Sequence, residues 1–412
     1  MDSLPSVTLM HPLRNRSFFM LLGFRIQIVL AYQIIAVVVG WHIYELTHDA
    51  LALGLIGLAE VIPYFFCALF AGYAVDHHSR RLFGVFAGVM VSLNALVLVA
   101  TTHIPDQNVS SWWIYAAIAS GGIARAFIGP SYGSLFALVL PRIQYARAAG
   151  VGSSAFQLAA VMGPALGGMM VAWGSMSVAY AVSAVLAFSS AITLFLLRVE
   201  EPPSATSSPI FTSIGEGLRF VFSNQIILGA QALDMFAVLF GGAVAMLPAF
   251  IHDIFHYGPE SLGILRAAPA AGSIVIGIIL ARHPLNKHAG HWFLGAVAGF
   301  GLCIILFSLN SNFWFAVILL LVSGICDGVS VVMRSTIMQL STPDAMRGRV
   351  AAINGIFIGS SNELGAFESG LAARLMGLVP SVLFGGMMTL AVVAVTARLA
   401  PKLRKLDMQK LH

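Results

Sequence analysis

The chain has little charge: Asp, Glu, Lys and Arg together make up 9% of its 412 residues, against 58% hydrophobic residues. A soluble domain carries about a quarter charged residues. So low a share cannot cover a surface in water, which excludes an ordinary soluble protein and points to an integral membrane protein. There are three cysteines, Cys67, Cys303 and Cys326, all inside apolar runs. They offer no disulfide framework and no metal-ligand spacing, and read as small core residues. The basic residues nowhere cluster on a polar surface, so the net charge of +5 does not indicate a nucleic-acid partner. No nucleotide-binding P-loop occurs, which argues against ATP as the energy source, and no nucleophile motif suggests an enzyme. Met1 to Arg16 lacks the pattern of a cleavable signal. No cofactor or metal is expected.

What is abundant is the long apolar run. A membrane helix needs about 20 mostly apolar residues. Twelve such segments are expected, at about 17–41, 53–75, 82–104, 112–140, 150–173, 176–197, 225–251, 260–281, 291–309, 313–340, 350–377 and 380–398. Forty glycines fit close helix approach inside a bilayer. Lys and Arg set the direction. They gather at Arg14 and Arg16, Arg80 and Arg81, Arg142 and Arg147, Arg347 and Arg349, and Lys402 to Lys410, whereas the loops around Glu45, Asp106, Asp253 and Glu260 have none. Both termini are therefore expected in the cytoplasm. Trp41, Trp112, Trp113, Trp173 and Trp314 fall near outer span ends, as an aromatic belt predicts. His42, His48, His252 and His256 read as interfacial loop residues.

The organisation expected is a first six-helix bundle over 1–198, a cytoplasmic linker with a short surface helix over 199–224, and a second bundle with a tail over 225–412. The linker opens Glu-Glu-Pro-Pro-Ser and has no apolar period, then Ile214, Leu218, Phe220 and Val221 suggest an amphipathic turn or two. The bundles look like diverged repeats. Gly57 to Pro63 matches Gly263 to Pro269, Pro141 to Arg147 matches Pro343 to Arg349, and Gly163 to Gly168 matches Gly365 to Gly370. These registers set Glu60 against Arg266 and Arg125 against Asp327. Arg25 falls against Asp234 if Asn15 is matched to Asn224.

Arg25, Glu60, Arg125, Asp234, Arg266, Asp327, Arg334, Glu363, Glu368 and Arg374 all lie within spans. An unpaired charge at mid-membrane costs about 2.5–3.5 kcal/mol on insertion scales, so each should be paired or face water. They occupy spans 1, 2, 4, 7, 8, 10 and 11 only. Structural salt bridging is the plain reading of any one of them, with Glu60, Arg266 and Arg374 expected as interhelix pairs. A functional cavity is the reading of the set.

Gly72-Tyr73-Ala74-Val75-Asp76 followed by Arg80 and Arg81 resembles the loop signature between spans 2 and 3 of the major facilitator superfamily, with His77 and His78 as departures. Arg125 followed by Gly129 and Gly133 resembles the span-4 arginine motif of drug/proton antiporters. Gly163-Pro164-Ala165-Leu166-Gly167-Gly168 resembles the antiporter motif of exporters. Along its full length the chain resembles the subgroup that includes the bacterial enterobactin exporter and macrolide efflux proteins. The resemblance implies an all-α membrane protein of twelve transmembrane helices in two pseudo-symmetric six-helix bundles, in which spans 3, 6, 9 and 12 face lipid. It implies a monomer in the inner membrane that exports siderophore- or drug-like molecules against protons by alternating access. An importer or facilitator of a small metabolite on the same fold is the alternative. Asp234, Asp327 and Glu363 are the expected proton carriers. Arg25 and Arg125 are their tuning partners, Arg334 and Glu368 lie near the cavity, and Gly72, Asp76, Arg80, Arg81, Gly163, Pro164, Gly167 and Gly168 are the expected gating positions.

Overall fold

The computed structural model describes residues 15–141, 144–199, 201, 210–283, 288–343 and 346–407. The side chains of Asp76, Ile214, Arg347 and Arg349 lie outside the described residues, as do Arg142 and, in the linker, Glu200 and residues 202–209. Only helices occur among the described residues. In chain order they are α1 (Arg16–Thr47), α2 (Ala50–His77), α3 (Arg80–Thr101), α4 (Gln107–Val139), α5 (Tyr145–Trp173), α6 (Met176–Phe195), α7 (Ile210–Ser223) and α8 (Gln225–Phe240). A 3-10 turn (Gly242–Met246), α9 (Leu247–Phe250) and a π turn (Ile251–Phe255) continue the line of α8. Then follow α10 (Pro259–Arg282), α11 (Ala289–Ser308), α12 (Phe313–Ser341), α13 (Arg347–Met376), α14 (Leu378–Leu399) and α15 (Pro401–Arg404).

Short polar caps explain why so many helices fit with so little loop. A helix start leaves backbone N–H groups without intrahelical partners. Asn15 Oδ1 accepts from Ser17 N (3.0 Å) and Phe18 N (3.2 Å), and its Nδ2 donates to Val139 O at the end of α4 (3.1 Å). Asn224 caps α8 with the same two bonds, from Ile226 N (3.0 Å) and Ile227 N (3.2 Å). The repeat match of Asn15 with Asn224 thus has a structural counterpart. Only His48 and Asp49 separate α1 from α2, with His48 in the left-handed region and Asp49 capping α2.

Eleven stretches are long and apolar enough to cross a membrane, one of them running from Gln225 through the 3-10 and π turns to Phe255. The helix of the eleventh span, α13, is long enough at 30 residues but too polar to qualify, because it carries Asn354, Asn362, Glu363, Glu368 and Arg374. It nevertheless packs along α2 and α8, where other helices supply its surroundings. The helices of spans 3, 6, 9 and 12 expose Leu93, Phe188, Leu302 and Val395, an apolar surface suited to lipid. Trp112, Trp113, Trp173 and Trp314 are exposed at helix ends, as a belt requires. Trp41 is not part of it: it is buried and donates to Glu45 Oε1 (2.5 Å), because α1 continues past it to Thr47. The linker helix α7 packs Leu218, Phe220 and Val221 against Ile227, Met338, Val350 and Ile353.

Small residues bring the two sets of helices together. A Cβ added to Gly168 of α5 would sit 2.8 Å from Gly263 N of α10, and one added to Gly54 of α2 would sit 3.1 Å from Gly370 Cα of α13. Gly163 and Gly167 meanwhile press on Gln33 and Ile34 of α1, as Gly365 presses on Val238 and Leu239 of α8. The same glycine pattern therefore serves both repeats. All these contacts lie toward the end that carries the α1–α2 connection. Toward the opposite end, Gly72, Gly150, Gly277 and Gly355 on those same four helices have nothing within 4 Å of an added Cβ. The four helices are joined at one end and splayed at the other.

Candidate functional site

Between the helices lies a cavity of about 550 Å³, within the range of small-molecule sites. Its polar lining comes from Tyr32 and Gln33 of α1, Glu60 of α2, Arg125 of α4, Arg266 of α10, Asp327 of α12, and Asn362 and Glu363 of α13. Ser323 of α12 adds a hydroxyl, and most of the remainder is apolar, including Ile35, Val39, Ile118 and Phe300.

Arg125 organises the closed side. Its Nη1 donates to Glu60 Oε1 (2.5 Å), Glu363 Oε1 (2.8 Å) and Tyr32 Oη (3.2 Å), and Tyr32 Oη in turn donates to Glu60. The guanidinium also stands over the rings of Tyr64 (5.1 Å) and Tyr32 (5.5 Å), where a cation is attracted by the π face. The packing that allows this is glycine again: Gly122 lets α4 lie against the Glu60 backbone, and Gly57 lets α2 lie against that of Glu363. One cation thus joins two carboxylates that are far apart in the chain, on helices α2 and α13.

A second charged pair is sealed from the cavity. Arg334 Nη1 donates to Asp234 Oδ2 (2.6 Å) and Ser330 Oγ to Asp234 Oδ1 (2.9 Å); Asp234 and Arg334 are each 5% exposed. Asp327 sits between these two groups of charge. It lines both the main cavity and a small void shared with Asp234 and Ser330, and it has no ion pair among the described residues.

The remaining expected site residues are placed as follows. Arg125 and Asp327 line one cavity but do not touch; Arg125 is held by Glu60 and Glu363 instead. Glu60 and Arg266 are likewise not partners, and Arg266 donates to Ala36 O (3.0 Å). Arg25 has aromatic rather than acidic company, 4.1 Å over Tyr132 and 5.2 Å over Phe156. Arg374 reaches Asp49 (2.9 Å) at the closed end, and Glu368 contacts Ser369 (3.5 Å) away from the cavity lining. Pro164, Gly167 and Gly168 lie in the tight α5 seam, and Pro164 also lines the cavity.

Two sets of residues were not anticipated. Glu201, in the linker, accepts from Arg80 N (2.7 Å), Arg81 N (3.2 Å) and Ser79 Oγ (3.0 Å), while Arg81 Nη1 donates to Leu197 O (2.9 Å). It caps α3 and sits at the positive end of that helix's dipole. The acidic start of the linker was visible but carried no register. At the closed end, Tyr44 Oη donates to Asp253 Oδ2 (2.5 Å), Asp253 Oδ1 lies 2.7 Å from His252 Nδ1, and the rings of His48 and His252 are 5.2 Å apart. Of the histidines read from sequence as loop residues, His48 and His252 take part in a contact between the end of α1 and the π turn, whereas His42 is buried inside α1 with its Nδ1 3.2 Å from Tyr180 Oη of α6.

Residues 21–366 match the profile of the Major Facilitator Superfamily. The chain is 24% identical over 385 residues to the multidrug efflux pump Tap of Mycolicibacterium fortuitum, covering 89% of this chain and 91% of that protein. It is 20% identical over 383 residues to macrolide efflux protein A of Streptococcus pyogenes, with 90% and 92% covered. To the enterobactin exporter EntS of Citrobacter koseri it is 23% identical over 380 residues, with 92% and 90% covered. Its fold is similar to that of a bacterial homologue of the human lysosomal transporter Spinster, inward-facing and unoccupied, with a TM-score of 0.69 at 14% identity over 96% of this chain and 98% of that one.

Proposed function

This chain belongs to the major facilitator superfamily, and from that premise we propose that it exports small organic molecules in exchange for protons. The observation that carries the reading is the single guanidinium of Arg125 held by Glu60 on α2 and Glu363 on α13. Two carboxylates on one cation leave a surplus negative charge, which a proton can neutralise. A proton on Glu363 weakens its bond to Arg125 and leaves the Glu60–Arg125 pair intact. The charged link between the first six spans and the last six is then loosened, and the equilibrium between the two open states moves. Asp327, lacking an ion pair beside Asp234 and Arg334, is a second proton carrier on the same cavity wall.

Export is favoured by the relatives named as efflux pumps and exporters and by the glycine-proline seam of α5 on α10. The Lys and Arg distribution puts both termini on the cytoplasmic side of the bacterial inner membrane. In that orientation the splayed end faces the cytoplasm, the state that loads an exporter. The division into 1–198, the linker 199–224 and 225–412 gives the two bodies that rock about the α2–α13 and α5–α10 seams.

The test is efflux in a bacterial strain lacking its own exporters, across siderophores, macrolides and dyes, with and without an uncoupler that dissipates the proton gradient. Export that stops with the uncoupler is the expected result. Full export in de-energised vesicles on a substrate gradient alone would instead make the chain a facilitator.

A further inference from the structure

Among the described residues, Arg266 is the cavity-lining cation without an ion pair, although the Glu363 carboxylate held by Arg125 is near enough to act on its charge. Arg125 is held by two carboxylates, Arg334 by Asp234, and Arg25 stands on two aromatic rings outside the cavity lining. Arg266 has no carboxylate within ion-pair distance among the described residues. A guanidinium has five N–H donors, and here one is used, from Nη1 to Ala36 O (3.0 Å). Its Nε is shielded from solvent and has no acceptor.

The residue cannot withdraw from this position. Three residues before it, Gly263 is wedged against Pro164 and Ala165 of α5; three residues after it, Pro269 is wedged against Gly324 of α12. Nor can it shed its charge, since a guanidinium does not deprotonate in a protein. Asp327 also faces the cavity without an ion pair, but a carboxylate in that position takes a proton and becomes neutral. The surplus carboxylate charge of Glu60 and Glu363 beside Arg125 can be neutralised by a proton in the same way, so of the open charges on this wall only the positive one is obligatory. Around it the wall is apolar, with Ile35, Val39, Leu53, Phe300 and Ile304.

We propose that the cavity takes amphipathic organic anions, with the anionic group of the ligand on the guanidinium of Arg266 and an apolar body along the α1 and α10–α11 wall. A carboxylate, phosphate or sulfonate group can accept the free donors, and Arg favours such planar or tetrahedral anions through paired hydrogen bonds. The proposal rests on the export reading in taking this cavity as the substrate site. It adds the charge of the substrate and the residue that selects it.

The experiment uses three probes on one skeleton: 1-pyrenebutyrate, its methyl ester and 1-pyrenebutylamine. Binding is measured on the full chain in phosphatidylcholine nanodiscs, at neutral pH, without any gradient. The expected result is that the anion binds about tenfold or more tighter than the ester and the amine, the size of a charge-assisted hydrogen bond. Arg266→Gln should erase that preference, and an unchanged monodisperse elution profile and helical circular dichroism spectrum show that the variant folds. Arg266→Lys should keep part of the preference, because the charge remains without the fork. Equal binding of the anion and ester, stronger binding of the amine, binding of none of the three, or an unchanged preference in Arg266→Gln each overturns the proposal. Since no gradient is imposed, an intact anion preference in a protein that fails to export would defeat the export reading alone. Proton-dependent export with no anion preference would defeat this one alone.

Discussion

Arg125 and Arg334 are both cavity-region guanidinium groups held by carboxylates, yet the consequences of removing their partners differ. Asp234 and Arg334 are almost fully buried and have each other and Ser330. Removing one member strands the other, which typically costs about 3–5 kcal/mol. Asp234→Ala is therefore expected to lower the melting temperature in detergent sharply, and Ser330→Ala to lower it only slightly, since it removes about 1 kcal/mol of stability. Replacing both charges, as Asp234→Leu with Arg334→Leu, should recover most of the Asp234→Ala loss. A double variant as unstable as the single one would show that the pair does more than balance itself. Arg125 faces the cavity, so water can meet its charge, and its loss should appear in transport rather than stability. Arg125→Ala is expected to abolish gradient-driven export, and Glu363→Gln to uncouple it from the proton gradient while substrate binding persists; both are read in proteoliposomes with an imposed pH difference. That these residues would matter was legible from charge placed in apolar runs. Glu363 was among the carriers expected to have Arg125 as a tuning partner, but the contacts of Glu60, Asp234 and Arg334 were not legible, because repeat symmetry pairs Arg125 with Asp327 and Glu60 with Arg266 by position in the chain, whereas contact follows helix rotation and the asymmetric closure of the bundle.

At the scale of the helix, local chemistry predicted more than periodicity did. The caps at Asn15, Asp49, Asp106, Asn224 and Asn312 stand where short polar connections met apolar runs. The segment that became α13 is read from sequence as an apolar span, although Asn354, Asn362, Glu363, Glu368 and Arg374 make it more polar than the others. The break of the seventh span into α8, a 3-10 turn, α9 and a π turn was not legible. Gly241, Gly242 and Pro248 signal a weakened helix, but which carbonyls shift is decided by packing, such as that of Gly242 on Gly365. The cap supplied by Glu201 escaped for a related reason: a side chain from the linker is more than a hundred residues from the helix it serves. Glu201→Gln loses the charge and one of the two accepting oxygens but keeps the other, while Glu201→Ala loses all three. Losing an N-terminal cap costs about 1 kcal/mol. Glu201→Ala is expected to loosen the start of α3, read as faster amide exchange over residues 80–84 than in the parent or in Glu201→Gln. Equal exchange in all three would remove Glu201 from the account of this loop.

For the molecule as a whole, the question is what holds one end shut. The glycine seams at Gly168–Gly263 and Gly54–Gly370 provide close contact, but such contact is available only while the helices stay together. Two polar links reinforce it, Tyr44 with Asp253 and Arg374 with Asp49. They differ in setting. Tyr44 is 4% exposed while the side chain of its partner Asp253 is 46% exposed, so only the donor is shielded, and the bond contributes about 1.5 kcal/mol, the low end for a hydrogen bond to a charged group. The Arg374–Asp49 pair has side chains 57% and 37% exposed, and a pair so open to water contributes little. The equilibrium between end-closed and end-open states should therefore respond unequally. Tyr44→Phe removes the hydroxyl without a cavity and is expected to raise the end-open population by about tenfold. Arg374→Ala is expected to change it by less than about threefold. The readout is the distance distribution between spin labels at Gln107→Cys and Ser311→Cys, exposed positions at this end in the first and last six spans, with Cys67, Cys303 and Cys326 replaced beforehand. A long-distance population that grows in Tyr44→Phe and barely changes in Arg374→Ala fits a buried latch. If Arg374→Ala shifts the distribution as far as Tyr44→Phe does, exposure does not rank the two links, and the closed end is held by its charges together rather than by the Tyr44 contact.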